Sequence, residues 1–194
     1  MSTLGSAQRA QVVVDTSESS HARLRALPPG HVRLADGFWE PRRRINWAET
    51  LPSQYEHIES TGRLDNFRRA SGKVDVPFRG PYFDDSDVYK WLEAASWSLA
   101  TDPGLERMVE SAITEIADAQ RPDGYLNTYL TSRGPTERWT DFDLHEMYCA
   151  GHLIQAAVAY FRAVGTRRLL DAAVRFANHI CDRSAPKSRG SSRP

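Results

Sequence analysis

The sequence predicts an all-α chain built from helical hairpins, and three observations carry that expectation. Apolar residues recur with the 3.6-residue helical period in several long segments. Proline and glycine clusters punctuate those segments, at Asp102-Pro103-Gly104, Pro122-Asp123-Gly124 and Gly165. A weak internal repeat of roughly 60 residues is also present. With Gly104 aligned to Gly165, Met108, Val109, Glu110, Ala112 and Ile113 meet Leu169, Leu170, Asp171, Ala173 and Val174. Hairpins that repeat this way bury their apolar faces against their neighbours.

Each element has its own signal. Residues 1–30 are rich in Ser, Ala, Gln and Arg, lack periodicity and close on Pro28-Pro29-Gly30, so a flexible leading segment is expected. His31-Val32-Arg33-Leu34 alternates like a short strand, and Asp36-Gly37 marks a turn. A helix is expected from near Pro41, since proline fits a first helical turn. Pro52 kinks it, and it resumes through Gln54-Tyr55-Glu56-His57-Ile58 to stop before Gly62. Residues 63–83 read as a long loop broken by Pro77, Gly80 and Pro81, and loops of that length usually carry function.

Val88, Trp91, Leu92, Ala95 and Leu99 then share a helical face, behind the capping groups Asp85-Ser86-Asp87. Leu105, Met108, Val109, Ala112, Ile113 and Ile116 mark the next helix. Residues 125–130 read as extended. A helix covering Asp143 to Tyr160 and ending at Gly165 follows, and a last one carries Leu169, Leu170, Ala173, Val174, Ala177 and Ile180.

Composition narrows the function. The 194 residues suffice for one domain with a core. Twenty-five basic and 25 acidic residues cancel, which argues against nucleic acid as partner. No apolar run reaches the roughly 20 residues of a membrane span, and the N-terminus has no signal-peptide core. A soluble, cytoplasmic protein is the expectation. Cys149 and Cys181 form no disulfide framework and no zinc-finger spacing.

The stretch from Asp143 to Tyr160 is the most unusual: two histidines, a glutamate, a tyrosine and a cysteine crowd one end, and plain apolar helix follows. Glu146 is expected as a helix-start acid favoured by the dipole. Cys149 is expected to be packing. His152 lies two helical turns from His145, too far to share one metal with it. Asp85 and Asp87 read equally well as helix caps or as acceptors for a ligand hydroxyl. Tyr125 is either a ring wall for a ligand or a loop anchor.

Three motifs in order resemble glycoside hydrolase family 127, the β-L-arabinofuranosidase-type family. They are Phe83-Asp84-Asp85-Ser86-Asp87-Val88-Tyr89-Lys90-Trp91-Leu92-Glu93-Ala94, Gln120-Arg121-Pro122-Asp123-Gly124-Tyr125-Leu126-Asn127-Thr128-Tyr129 and His145-Glu146-Met147-Tyr148-Cys149-Ala150-Gly151-His152. Gly37-Phe38-Trp39 and Gly62-Arg63-Leu64-Asp65-Asn66-Phe67 also fit, so the resemblance covers residues 31–182. It implies an (α/α)6 barrel of six hairpins, here incomplete, with about five of the twelve helices present. It implies retaining hydrolysis of non-reducing-end β-L-arabinofuranosides, in which a zinc-bound cysteine thiolate attacks and a glutamate is acid and base. It makes His145 a contact to a sugar hydroxyl and Gln54 a pocket amide. With Asp85 and Tyr125, these are the candidate substrate-binding residues.

In that family the nucleophile, the zinc ligands and the acid/base lie in later helices. No catalytic residue and no metal is therefore expected within these residues, although zinc serves the full-length family. The basic, Ser-rich stretch 183–194 does not resemble the family's continuation. A frameshift or premature stop near Arg183 is expected, leaving a fragment inactive alone. The alternative is a non-catalytic helical module that assembles with a complementary chain. The expected ligand is an arabinose-containing oligosaccharide or glycoside.

Overall fold

The computed structural model describes residues 34–99 and 103–184, with positions 16, 19–24, 27 and 32 before them. Most of the expected 1–30 segment and residues 185–194 of the expected tail lie outside the described residues. The strand expected over 31–34 falls partly outside them as well, and no strand forms among the described residues.

Helix α1 (Trp39–Ile45) runs through a π-helical segment (Asn46–Thr50) into α2 (Leu51–Ser60). Pro52 is the sequence cause, because it has no N–H to bond the carbonyl four residues back. The wider turn just before it takes up the gap, so the expected kink is a π segment. The indole of Trp91 donates to the Leu51 carbonyl at 2.9 Å and pins this helix to its neighbour.

Residues 63–83 are not one long loop. Helix α3 (Arg63–Ala70) occupies the first part. Its apolar face is only Leu64 and Phe67, both fully buried, in an otherwise charged stretch. Two apolar residues are too few for a periodicity to register, and tertiary contacts hold the helix instead. Arg68 reaches Glu59 at 2.8 Å, Asp65 at 2.9 Å and Glu115 at 3.3 Å. Buried Asn66 donates to the Arg79 carbonyl at 2.9 Å and accepts from its N–H at 3.0 Å, which ties down the extended return. Gly62, at φ 82°, supplies the left-handed turn between α2 and α3.

Helix α4 (Asp85–Leu99) and α5 (Glu106–Ala119) follow. The 125–130 stretch is not extended throughout, because α6 (Thr128–Thr131) forms one turn capped by Asn127, whose side chain accepts from the Leu130 N–H at 2.8 Å. Helix α7 (Glu146–Val164) and α8 (Arg168–Ser184) complete the described chain. Among the described residues three hairpins result, α2/α3, α4/α5 and α7/α8, and α3 is the hairpin member that the sequence reading lacked.

The hairpins stack side by side. Phe83, just before α4, meets Cys149 in the first turn of α7, and Lys90 and Glu93 farther along act on His152. Helices α4 and α7 are therefore parallel. Both helices carry small buried residues, Ala95 in α4 and Ala150 and Ala157 in α7. On the other layer, Arg168 meets Thr114 at 3.1 Å, and Gln120 donates to the Ala172 carbonyl at 2.8 Å. Helices α5 and α8 are thus parallel too, although the Gly104–Gly165 alignment sets Arg168 against Arg107 and Gln120 against Cys181, which is not the pairing observed. Among the described residues no helix is long and apolar enough to cross a membrane.

Asn66→Ala leaves both polar groups of Arg79 unpaired. It is expected to cost about 1–3 kcal/mol in urea unfolding and to speed hydrogen exchange at the Arg79 amide.

Candidate functional site

Parallel packing brings the N-terminal ends of α4 and α7 to one end of the molecule. There the connection leading into α7 folds around a cleft of about 430 Å³, walled by Trp139, Phe142, His145, Glu146, Met147 and Tyr148. Two non-glycine residues with left-handed backbones bound it, Trp139 at φ 61° and His145 at φ 59°. Each such conformation costs on the order of 1–3 kcal/mol and persists only where surrounding contacts impose it.

Those contacts are visible at both ends. The Trp139 N–H donates to the Glu146 carboxylate at 2.7 Å, and its ring stacks on His179 at 6.0 Å. The His145 ring lies among Tyr82, Phe83 and Tyr148, with centroids 5.5–5.6 Å away. Its Nδ1 is paired with the Asp143 carbonyl. A carbonyl only accepts, so Nδ1 carries the proton and Nε2 of the neutral ring is an acceptor. Such a nitrogen suits a hydroxyl donor on a ligand.

The helix begins later than the sequence reading placed it. Phe142–Leu144 is a 3-10 turn whose start is capped by Asp141, which accepts from the Asp143 N–H at 2.9 Å. His145 then breaks the helical geometry, and α7 starts at Glu146.

Glu146 has a larger part than the expected helix-start acid. It is buried, and besides Trp139 it accepts from the Tyr125 hydroxyl at 2.5 Å. Burial, and then the bond to Glu146, push the Tyr125 phenol far above its usual range, so it remains a donor. Arg138 sits 3.9 Å over the Tyr125 ring and pairs with Asp123 at 2.9 Å. Next to Asp123, Gly124 lies so close to α8 that a Cβ would come within 2.5 Å of the Arg175 carbonyl.

Of the four candidate residues, the structure brings only His145 to the cleft wall. Tyr125 is fully buried, and its hydroxyl is bonded to Glu146. Asp85 is also buried, and its two oxygens accept from the Thr128 N–H at 2.8 Å and hydroxyl at 2.5 Å. It therefore fastens α6 to α4 and does not present a free acceptor. Burial pushes its pKa up to about 6, with the Thr128 bonds opposing. Gln54 is exposed on α2 and does not line this cleft. Trp139, Phe142, Met147 and Tyr148 also line the cleft; Tyr148 stood in the crowded stretch that the sequence singles out, whereas Trp139 and Phe142 carry no spacing that separates a cleft wall from an ordinary connection.

Cys149 is buried in the first turn of α7, with its thiol toward the Phe83 carbonyl at 3.6 Å. Burial, and then the nearby Asp85 charge, push the thiol well above its ordinary value, so it is a packed, protonated group. Zinc needs deprotonated donors converging on one point. Among the described residues no three His, Cys, Asp or Glu side chains converge in that way.

Known proteins are similar to this chain. The family model for the β-L-arabinofuranosidase GH127 catalytic domain matches residues 31–193. A non-reducing end β-L-arabinofuranosidase from Bifidobacterium longum subsp. longum is 36% identical, over 76% of this chain and 26% of its own. The structure of a GH127 β-L-arabinofuranosidase from Geobacillus stearothermophilus T6 superposes with a TM-score of 0.77 at 44% identity, covering 81% of this chain and 26% of that one. A second GH127 β-arabinofuranosidase structure gives 0.71 at 38% identity, over 78% of this chain and 26% of its own. This chain thus spans about a quarter of the length of these relatives. The three hairpins are an incomplete helical barrel of the six-hairpin type.

The raised Asp85 pKa sets a pH dependence. Between 3.8 and about 6 the folded chain holds a proton there that the unfolded chain has released. The penalty for ionising Asp85 is therefore absent below 3.8 and complete above about 6, so stability falls as pH rises through that window. Relative to Asp85→Asn, the wild-type chain is expected to lose about 2–3 kcal/mol from pH 3.5 to pH 7. Urea unfolding of both proteins across that range measures the difference.

Proposed function

The chain belongs to the GH127 β-L-arabinofuranosidase family, and on that premise we propose that it forms the N-terminal wall of an arabinofuranoside-binding site. The observation that carries this reading is the cleft between Trp139 and Tyr148, with a His145 nitrogen free to accept from a hydroxyl. Its aromatic and apolar walls match the C–H faces of a pentose ring, and Phe142 and Met147 are exposed there. The residues present bind and orient. His145 accepts a sugar hydroxyl, the Trp139–Tyr148 walls exclude water, and Asp85 fastens the connection to α4.

Hydrolysis with retention needs a nucleophile and an acid/base on opposite sides of the anomeric carbon. Among the described residues at this cleft, Cys149 is packed and protonated, and Glu146 is occupied by its own donors. In the family, zinc supplies the deprotonation of the attacking cysteine. That chemistry belongs to helices beyond these three hairpins, so these residues alone bind without turning over.

A second reading has its own observation. Phe38, Trp39 and Ile45 on and beside α1, and Met147 and Ile154 on α7, are large apolar side chains exposed on the surface. They favour a helical module that docks against a complementary chain carrying the remaining hairpins.

Calorimetric titration with methyl β-L-arabinofuranoside is expected to show binding, and His145→Ala to weaken it about tenfold, the effect of losing one well-placed hydrogen bond. No release of nitrophenol from an aryl β-L-arabinofuranoside is expected from the purified chain. Zinc-dependent turnover by it would contradict the assignment of roles. An absence of any sugar binding would favour the docking module.

A further inference from the structure

Glu146 is the most deeply committed polar group at the cleft, and the reading above leaves its function open. It is the first residue of α7, only 4% exposed, and its carboxylate takes one donor on each oxygen. Oε1 accepts from the Tyr125 hydroxyl, which is itself buried under Arg138. Oε2 accepts from the backbone N–H of Trp139, the residue whose left-handed conformation turns the chain into the cleft. One side chain thus joins a buried anchor to a left-handed residue of the wall.

We propose that Glu146 is a positioning residue for the sugar site, acting as a two-pronged acceptor that holds the Trp139 wall at the correct distance from His145. The proposal rests on the reading of this cleft as an arabinofuranoside site. What matters is the reach and the two acceptor positions of the side chain, not its charge or its proton. Both oxygens are engaged by protein donors, Tyr125 on one and Trp139 on the other.

The chemistry of the two donors makes this testable. The Trp139 N–H can only donate, whereas the Tyr125 hydroxyl can rotate and accept instead. A glutamine can therefore satisfy both partners, with its oxygen toward Trp139 and its amide toward Tyr125. An aspartate keeps the charge but is one methylene shorter, so it cannot reach both. A positioning role predicts that Glu146→Gln behaves like the wild type and Glu146→Asp does not. A role for the charge predicts the reverse order.

The test reads the Trp139 backbone amide by NMR hydrogen exchange, together with the affinity for methyl β-L-arabinofuranoside, on the whole chain. Glu146→Asp is expected to speed Trp139 exchange and weaken sugar binding by about tenfold each, as loss of one buried hydrogen bond does. Glu146→Gln is expected to rescue both to within about threefold of wild type, and His145→Ala to weaken binding while leaving Trp139 exchange unchanged. The proposal is overturned if Glu146→Asp leaves Trp139 exchange at the wild-type rate, or if Glu146→Gln is the more damaging change. If the wild-type chain binds no sugar, the functional reading fails, and Trp139 exchange in the two variants still decides whether Glu146 sets the wall.

Discussion

The parallel packing of α4 against α7 is the constraint on which the remaining features depend. Phe83 against Cys149, and Lys90 and Glu93 near His152, fix the parallel running, which puts both N-terminal ends on one side. Each helix begins with a buried carboxylate, Asp85 in α4 and Glu146 in α7. Each carboxylate faces the favourable end of a helix dipole. Each accepts donors from the irregular connection between the two hairpins, Thr128 for Asp85 and Tyr125 with Trp139 for Glu146. Burying a charge is costly unless it is hydrogen-bonded. These two are bonded to the segment that must be fixed, so one device sews the connection to the helix ends twice.

That device explains why the cleft has its form. Strained backbone at Trp139 and His145 needs external support, and it comes from the Glu146 carboxylate, the His179 ring and the aromatic ring of Tyr82, Phe83 and Tyr148 around His145. Below the cleft, a continuous set of contacts runs from Asp123 through Arg138 and Tyr125 to Glu146. The outer layer contributes through Gln120 and Arg175, which lock α8 beneath the same connection.

Helix content was legible wherever apolar residues recur over four turns, as in α4, α5, α7 and α8. The hairpin repeat was legible for the same reason, although Arg168 and Gln120 pair in a different register from the Gly104–Gly165 alignment. Helix α3 was not, because only Leu64 and Phe67 face the core and ion pairs from other elements do the rest. The start of α7 was misplaced because a left-handed histidine leaves no mark in a sequence. Among the candidate residues, His145 stood out from its polar surroundings. Asp85 and Tyr125 were recognised as unusual, but only three-dimensional contacts tell a buried staple from a ligand contact. Glu146 was read by its position in the helix, and its partner Trp139, seven residues earlier, is joined to it by a fold of the chain that no local pattern encodes.

The central claim is that the Trp139–Tyr148 cleft is where this chain meets a pentofuranoside. A backbone chemical-shift map of the chain titrated with methyl β-L-arabinofuranoside tests it most directly. The account predicts shifts concentrated at residues 139–148, and at Tyr82 and Phe83 around His145. Shifts centred instead on the second groove, lined by Arg69, Lys73 and Arg121, or no shifts at saturating sugar, would contradict it.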